Sequence, residues 1–285
     1  MNLAVIIGLD TKVTANYKET PMSQQPGKTT RLSGYDESNI LIRDKNLVSD
    51  LMGKLSFTQM LLFHITGAMP TPLQLAVTDA VLVTIMEHGL VPSAIASRLT
   101  LLGAPESFQG AVAAGLLGVG DRYAGTASEC GALLEKIVAA DDGEATARAV
   151  VRQYRADRRP LPGFGHPVHR RADPRVPKLV EIAESAGAKG DYIAAMRLLE
   201  RCLEEELGKK LPVNVSAAIA AVLCEAGIPR KIFRGIVLTA RCAGLVGHLL
   251  EEMESPAADA MWKLVEEGIP FEGGTTGGKQ GGSKA

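Results

Sequence analysis

Arg159-Pro160-Leu161-Pro162-Gly163-Phe164-Gly165-His166-Pro167-Val168-His169-Arg170-Arg171-Ala172-Asp173-Pro174-Arg175 is the most informative stretch of this 285-residue chain. Its prolines and glycines impose a non-helical path. Glycine also lets backbone approach a flat or phosphorylated ligand closely. Six basic side chains (Arg159, His166, His169, Arg170, Arg171 and Arg175) stand along it, in a chain whose formal charge is only −1. A loop offering backbone amides, an imidazole and several guanidiniums suits an anionic ligand. The same composition also serves a plain solvated connection between two helices. His166 and His169 as metal ligands would need further donors that the sequence does not place nearby, so no metal is expected. The stretch is neither a Walker loop nor a dinucleotide fingerprint, because no strand–GxGxxG–helix context surrounds it.

Outward from this loop the chain reads as helices almost throughout. Thr71-Pro72-Leu73-Gln74 combines a capping threonine, a first-turn proline and a capping-box glutamine. Leu75, Val77, Val81, Leu82 and Ile85 then make a broad apolar face. Asp173-Pro174, Pro229 and Ser255-Pro256 mark further helix starts, and Gly190-Asp191 separates two helical runs. Ile193, Met196, Leu199 and Leu203 recur at helical spacing. No sustained period-2 alternation appears, and Asp142-Gly143 falls between helical segments. The expected class is all-α. Residues 1–30 are expected to form a flexible leader, with Met22 resembling a natural chain start. Residues 273–285, with six glycines, are expected to form a flexible tail.

Near-neutral charge supplies no global field for nucleic acid or an anionic membrane. Cys130, Cys202, Cys224 and Cys242 form no CxxC pair, and four buried thiols in a reducing cytosol is the plain reading. Leu3 to Leu9 makes a poor signal peptide, since no positive residue precedes it and Asp10 ends it. No uninterrupted apolar run reaches the length of a membrane span; Asp79 interrupts Leu73 to Met86. A cytoplasmic protein is expected.

Pro162-Gly163-Phe164-Gly165-His166 followed by Asp173-Pro174-Arg175 resembles the PG(F/Y)GH…DPR signature of the citrate synthase and citryl-CoA lyase superfamily. Other blocks fall in that family's order: Leu55-Ser56-Phe57 through Gly67-Ala68-Met69-Pro70, Glu87-His88-Gly89 with Pro92-Ser93, Asn214-Val215, and Ala240-Arg241-Cys242-Ala243-Gly244 with His248 and Glu251. The resemblance covers about residues 31 to 270. The short chain and the contexts of His88 and Asn214 are closer to citryl-CoA lyases than to full-length citrate synthases.

The resemblance implies a large helical domain from 31–125 and 228–272, a smaller helical domain from 126–227 carrying the loop, an active-site cleft between them, and a homodimer. It implies that Pro162, Gly163, Phe164 and Gly165 wrap the adenine of coenzyme A. Arg170, with Arg171 beside it, is implied to meet its phosphates. His166 would hydrogen-bond the oxygen that alternates between ketone and alcohol, while His88, Arg175 and Arg241 hold the oxoacid. A guanidinium suits that task because its planar fork binds a carboxylate bidentately. Read alone, His88 is more simply an ordinary helix-end histidine.

Three departures qualify the resemblance. Tyr123, within Gly120-Asp121-Arg122-Tyr123-Ala124-Gly125, stands where the family has a histidine for the thioester enolate; a phenol can still donate that hydrogen bond. Ser216 stands where the family has its catalytic aspartate, and a neutral hydroxyl cannot replace a carboxylate base unaided. Asp121 and Glu129 are the nearest carboxylates in sequence to Tyr123. No arginine follows Arg241, which suggests a substrate with fewer carboxylates than citrate. The expected activity is carbon–carbon cleavage of citryl-CoA or a related 3-hydroxyacyl-CoA to an acyl-CoA and a 2-oxoacid. Its alternatives are the reverse Claisen condensation and a CoA-binding protein without turnover. The CoA thioester is expected as substrate, with no permanently bound cofactor.

Overall fold

Thr71 accepts the Gln74 N–H through its hydroxyl and Gln74 returns a bond to the Thr71 N–H, closing the capping box that the sequence announces. This and ten further helices dominate a computed structural model that describes residues 29–121, 125–165 and 172–271. The chain is all-α in class. It falls into two compact units, one ending at Lys54 and one beginning at Leu55.

The first unit corrects the expectation of helix from residue 31. Strands β1 (Ser33–Tyr35), β2 (Ile40–Ile42) and β3 (Lys45–Asn46) form a small antiparallel sheet in the order β1-β2-β3. Asp36 turns the first hairpin by accepting the Ser38 and Asn39 N–H groups, each at 2.8 Å. Strands of two or three residues are too short for a period of two to register. A π-helical turn, Leu47–Leu51, follows.

The second unit carries α1 (Phe57–Thr66), α2 (Pro72–Met86), α3 (Pro92–Gly103), α4 (Phe108–Leu117), α5 (Thr126–Val138), α6 (Gly143–Ala156), α7 (Arg175–Ser185), α8 (Asp191–Leu207), α9 (Val215–Glu225), α10 (Phe233–Glu254) and α11 (Ala258–Gly268). Helix α9 packs against α2, α5, α7 and α8. Its run Ala217-Ala218-Ile219-Ala220-Ala221-Val222-Leu223-Cys224 is buried throughout, so α9 is apolar on every face, as a central helix must be. Small alanines let its neighbours approach closely. Ile193, Met196, Leu199 and Leu203 of α8 are buried as their spacing predicts. The helix start expected at Pro229 is a 3₁₀ turn, Arg230–Ile232, leading into α10. The start expected at Ser255-Pro256 comes at Ala258.

Helix α10 packs against α2, α3, α4 and α5. Arg230–Glu254 is long and apolar enough, by length and composition alone, to cross a membrane. Arg234, Arg241 and His248 break its apolar run and make contacts with other parts of this unit, described below. Cys130, Cys202 and Cys224 are buried, but Cys242 is only partly so, which corrects the reading of four buried thiols. Burial pushes the Cys130 and Cys224 thiols up to about 12, so neither is a ready nucleophile.

Candidate active site

One cavity of about 780 Å³ lies in the second unit; two groups of elements line much of it, and the starts of α3 and α5 with Gly118, Val119 and Asp121 complete the lining. The first is the 160–165 loop with the start of α9. Gly163 and Gly165 take left-handed conformations, φ 90° and 80°, which side chains other than glycine rarely adopt. These turns bring the loop backbone alongside residues 212–214. Gly165 N–H donates to Pro212 O at 2.8 Å, Asn214 N–H donates to Gly163 O at 2.9 Å, and Phe164 forms a β-bridge with Val213. Asn214 completes the join. Its Nδ2 donates to Gly165 O at 2.8 Å, while its Oδ1 caps α9 by accepting the Ser216 N–H at 2.9 Å. A β-carbon at Gly163 would lie 2.6 Å from that of Ala217, so glycine is required for the loop to seat on α9.

Asp173 ties the far end of the loop to the same helix. It is 2% exposed and takes the Arg175 guanidinium as a fork, Nε to Oδ1 at 2.9 Å and Nη2 to Oδ2 at 2.8 Å. It also accepts the Val215 N–H at 3.0 Å. Burial pushes the Asp173 carboxyl up, but these donors outweigh it and hold the group below its ordinary value.

The second lining is the turn after α2 with one face of α10. Arg241 Nη1 donates to Ile85 O at 3.2 Å and Met86 O at 3.4 Å, placing a cation at the carbonyl end of α2. Burial lowers the Arg241 pKa from its usual value, partly offset by the nearby Glu87 charge. One turn on, a β-carbon at Gly244 would fall 2.0 Å from Met86 O, so only glycine admits α2 this close. His248 Nε2 then meets the Glu87 carboxylate at 3.1 Å.

Pro162, Gly163, Phe164, Arg175, His88, Ser216 and Arg241 all line this one cavity, although the two farthest apart in sequence, His88 and Arg241, are separated by 153 positions. Gly165 holds the loop backbone in register beside them. Tyr123, His166, Arg170 and Arg171 lie outside the described residues. Their flanking residues Asp121, Gly163, Phe164 and Arg175 reach the cavity. The Ser216 hydroxyl makes no hydrogen bond among the described residues, and its N–H is spent on Asn214. Of the two carboxylates weighed as substitutes for the family aspartate, both line the cavity, but they differ. Asp121 is held by Arg234 Nη1 at 2.6 Å, whereas Glu129 has no partner among the described residues. Sequence reasoning passed over Arg98, Arg234 and Glu252. For Arg98 a signal exists: a lone arginine in the middle of Ala94-Ile95-Ala96-Ser97-Arg98-Leu99 asks for a buried partner.

Residues 29–263 match the family model for the citrate synthase C-terminal domain. The chain belongs to the citrate synthase family. Relatives of this family member include the citrate synthase of Synechocystis sp., 28% identical over 219 residues that cover 75% of this chain and 54% of that one. Citrate synthase 2 of Bacillus subtilis is 25% identical, with 74% and 57% covered. The chain thus spans about half the length of the curated relatives it matches. Among solved structures, a citryl-CoA lyase from Hydrogenobacter thermophilus is 28% identical with a TM-score of 0.78, over 88% of this chain and 96% of that one. An ATP citrate lyase from Methanothrix soehngenii, solved with citrate and coenzyme A, shares the fold at 16% identity, with a TM-score of 0.73 over 87% of this chain and 42% of that one.

Proposed function

We propose that this citrate synthase family member is a carbon–carbon lyase acting on citryl-CoA or a related 3-hydroxyacyl-CoA. The likeness to citryl-CoA lyase over 96% of that chain carries the reading, because the citrate synthases match over only about half of theirs. The loop backbone from Pro162 to Gly165 takes the CoA adenine, with Arg170 and Arg171 at its phosphates. His88, Arg175 and Arg241 take the oxoacid portion. His166 accepts the carbinol proton as that C–O bond becomes a carbonyl. The adjacent C–C bond breaks, and its electron pair passes to the thioester enolate, whose oxygen accepts a hydrogen bond from Tyr123. The enolate carbon then gains a proton, and an acyl-CoA and a 2-oxoacid leave. Glu129, the cavity carboxyl group without a partner among the described residues, is the group we assign to that last transfer, giving its proton to the enolate carbon. The site needs no permanently bound cofactor, since the CoA thioester is itself the substrate.

A smaller domain from 126–227 within this unit is part of the same proposal: α5, α6, α8 and α9 pack on one another, while α7 packs on α2 as well as on α9. Exposed Trp262, Leu264 and Val265 on α11, with Val246, Leu250 and Met253 on α10, support a homodimer, because paired chains can cover apolar surface that one chain leaves in water. The names of the curated relatives favour the reverse condensation as second reading. Incubating the purified protein with citryl-CoA and following acetyl-CoA and oxaloacetate tests the proposal. Product at rates proportional to protein is expected. No cleavage, with acetyl-CoA and oxaloacetate instead consumed to citrate, would replace the lyase by a synthase.

A further inference from the structure

A chain of charged groups runs from the start of α11 to the turn that carries His88, and the proposed chemistry uses none of it. Arg98 is 2% exposed, and its guanidinium is shared among three partners. Nη1 donates to Glu252 at 2.9 Å, Nη2 meets Glu251, and Nε donates to His248 Nδ1 at 3.2 Å. Glu252, itself 5% exposed, also accepts the Ala257 and Ala258 N–H groups that open α11. Arginine is a donor only, so the His248 nitrogen facing it is an acceptor. The His248 proton therefore sits on Nε2, which faces Glu87 at 3.1 Å. Glu87 passes the constraint on. Its Oε1 accepts the His88 N–H at 2.7 Å and the Gly89 N–H beside it. Burial pushes the Glu87 carboxyl up, but these N–H groups and His248 outweigh it and hold it below its ordinary value.

We propose that Glu87 is a positioning residue for His88, fixing the backbone from which that ring enters the cavity, and that His248 and Arg98 fix Glu87 in turn. Arg98 and Glu252 are buried together, which is costly unless each is partnered, and that partnered pair anchors the more exposed Glu251 and Glu87 through His248 and the Arg98 guanidinium. The turn at His88 is the exposed end of a helix, and without these bonds it would be free to shift by the ångström that spoils ligand geometry. The proposal rests on the reading that this cavity takes a 2-oxoacid. Its test therefore includes a readout that needs no ligand.

The His88 ring resonance is assigned by comparison with His88→Gln and followed in Glu87→Ala, Glu87→Gln and His248→Asn, alongside calorimetry with oxaloacetate and with CoA. In Glu87→Ala the His88 resonance should move, and oxaloacetate affinity should fall about tenfold, the scale of one charge-assisted hydrogen bond, with CoA affinity unchanged. Glu87→Gln should stay near the parent, because its amide oxygen still accepts both N–H groups. His248→Asn, whose amide is too short to reach Glu87, should move the resonance in the same direction by less. An unmoved His88 resonance and unchanged oxaloacetate affinity in Glu87→Ala would overturn the proposal. Equal loss of CoA affinity would overturn it as well, since that marks collapse rather than positioning. If the parent binds no oxaloacetate, the substrate reading falls, and the resonance alone decides the positioning role.

Discussion

The two linings of the cavity are built by different means. The loop at 160–165 is held on α9 by backbone: left-handed glycines, a β-bridge at Phe164 and Val213, and one asparagine that satisfies both partners. The turn after α2 is held on α10 by charge, through Arg241, His248, Glu87 and the buried Arg98–Glu252 pair. A backbone-built lining suits a flat base read through amide groups, and it tolerates surface substitution. A charge-built lining suits a small carboxylate, and it answers to any single charge removed. The difference makes the two halves separately breakable.

The largest expected effect tests whether the loop lining does more than grip. His166→Ala should lower kcat by about 10²–10⁴-fold, the usual worth of a general acid–base group, with CoA affinity retained. Near-normal turnover would reduce the loop to a binding element.

Each lining also depends on one glycine, and these can be set against each other. Gly163→Ala and Gly244→Ala should each destabilise by about 1–3 kcal/mol, the scale of overpacking, read from chemical denaturation midpoints. At Gly163 the nearest obstacle is the Ala217 side chain, so adding Ala217→Gly should recover part of the loss. At Gly244 the obstacle is the Met86 backbone carbonyl, so no side-chain change should relieve it. Equal rescue of both would erase the distinction between the linings.

A smaller effect lies in the acid limb. The Asp173 pKa is depressed from its ordinary 3.8, so its contribution is present above that value and is lost as pH falls through the lower, folded pKa. Asp173→Asn should cost about 2 kcal/mol at neutral pH, in the range of hydrogen bonds to charged groups. It should also flatten the fall in stability below about pH 4, checked by denaturation across pH 2–7 and referred to that ordinary carboxylate value. A parallel acid profile in the variant would place the acid sensitivity elsewhere.

Helix starts were legible because their signals are local. Thr71 to Gln74 and Asp173-Pro174 carry their own capping or breaking chemistry, and Ile193 to Leu203 carry the helical period. The site was legible only where a motif fixes residue types in order, as at Gly163, His88 and Arg241. What joins those motifs was not. Asn214 and Gly165 are 49 residues apart, and Arg98 and Glu252 are 154 apart. No local pattern names the partner: the apolar run around Arg98 asks for a buried one without saying which, and Gly165 offers only a backbone carbonyl. The short sheet at 33–46 escaped for the opposite reason, its strands being shorter than the period that would reveal them.

The central claim is that one cavity takes two ligands through two independent linings, and paired calorimetry tests it most directly. CoA and oxaloacetate are titrated separately into the parent, Arg170→Ala and Arg241→Lys. Arg170→Ala should lose about tenfold or more in CoA affinity, one phosphate contact, and keep its oxaloacetate affinity. Arg241→Lys keeps a cation but loses the fork, so it should bind CoA as the parent does and oxaloacetate more weakly. Both variants weakening both ligands alike, or a parent that binds neither, would contradict the account.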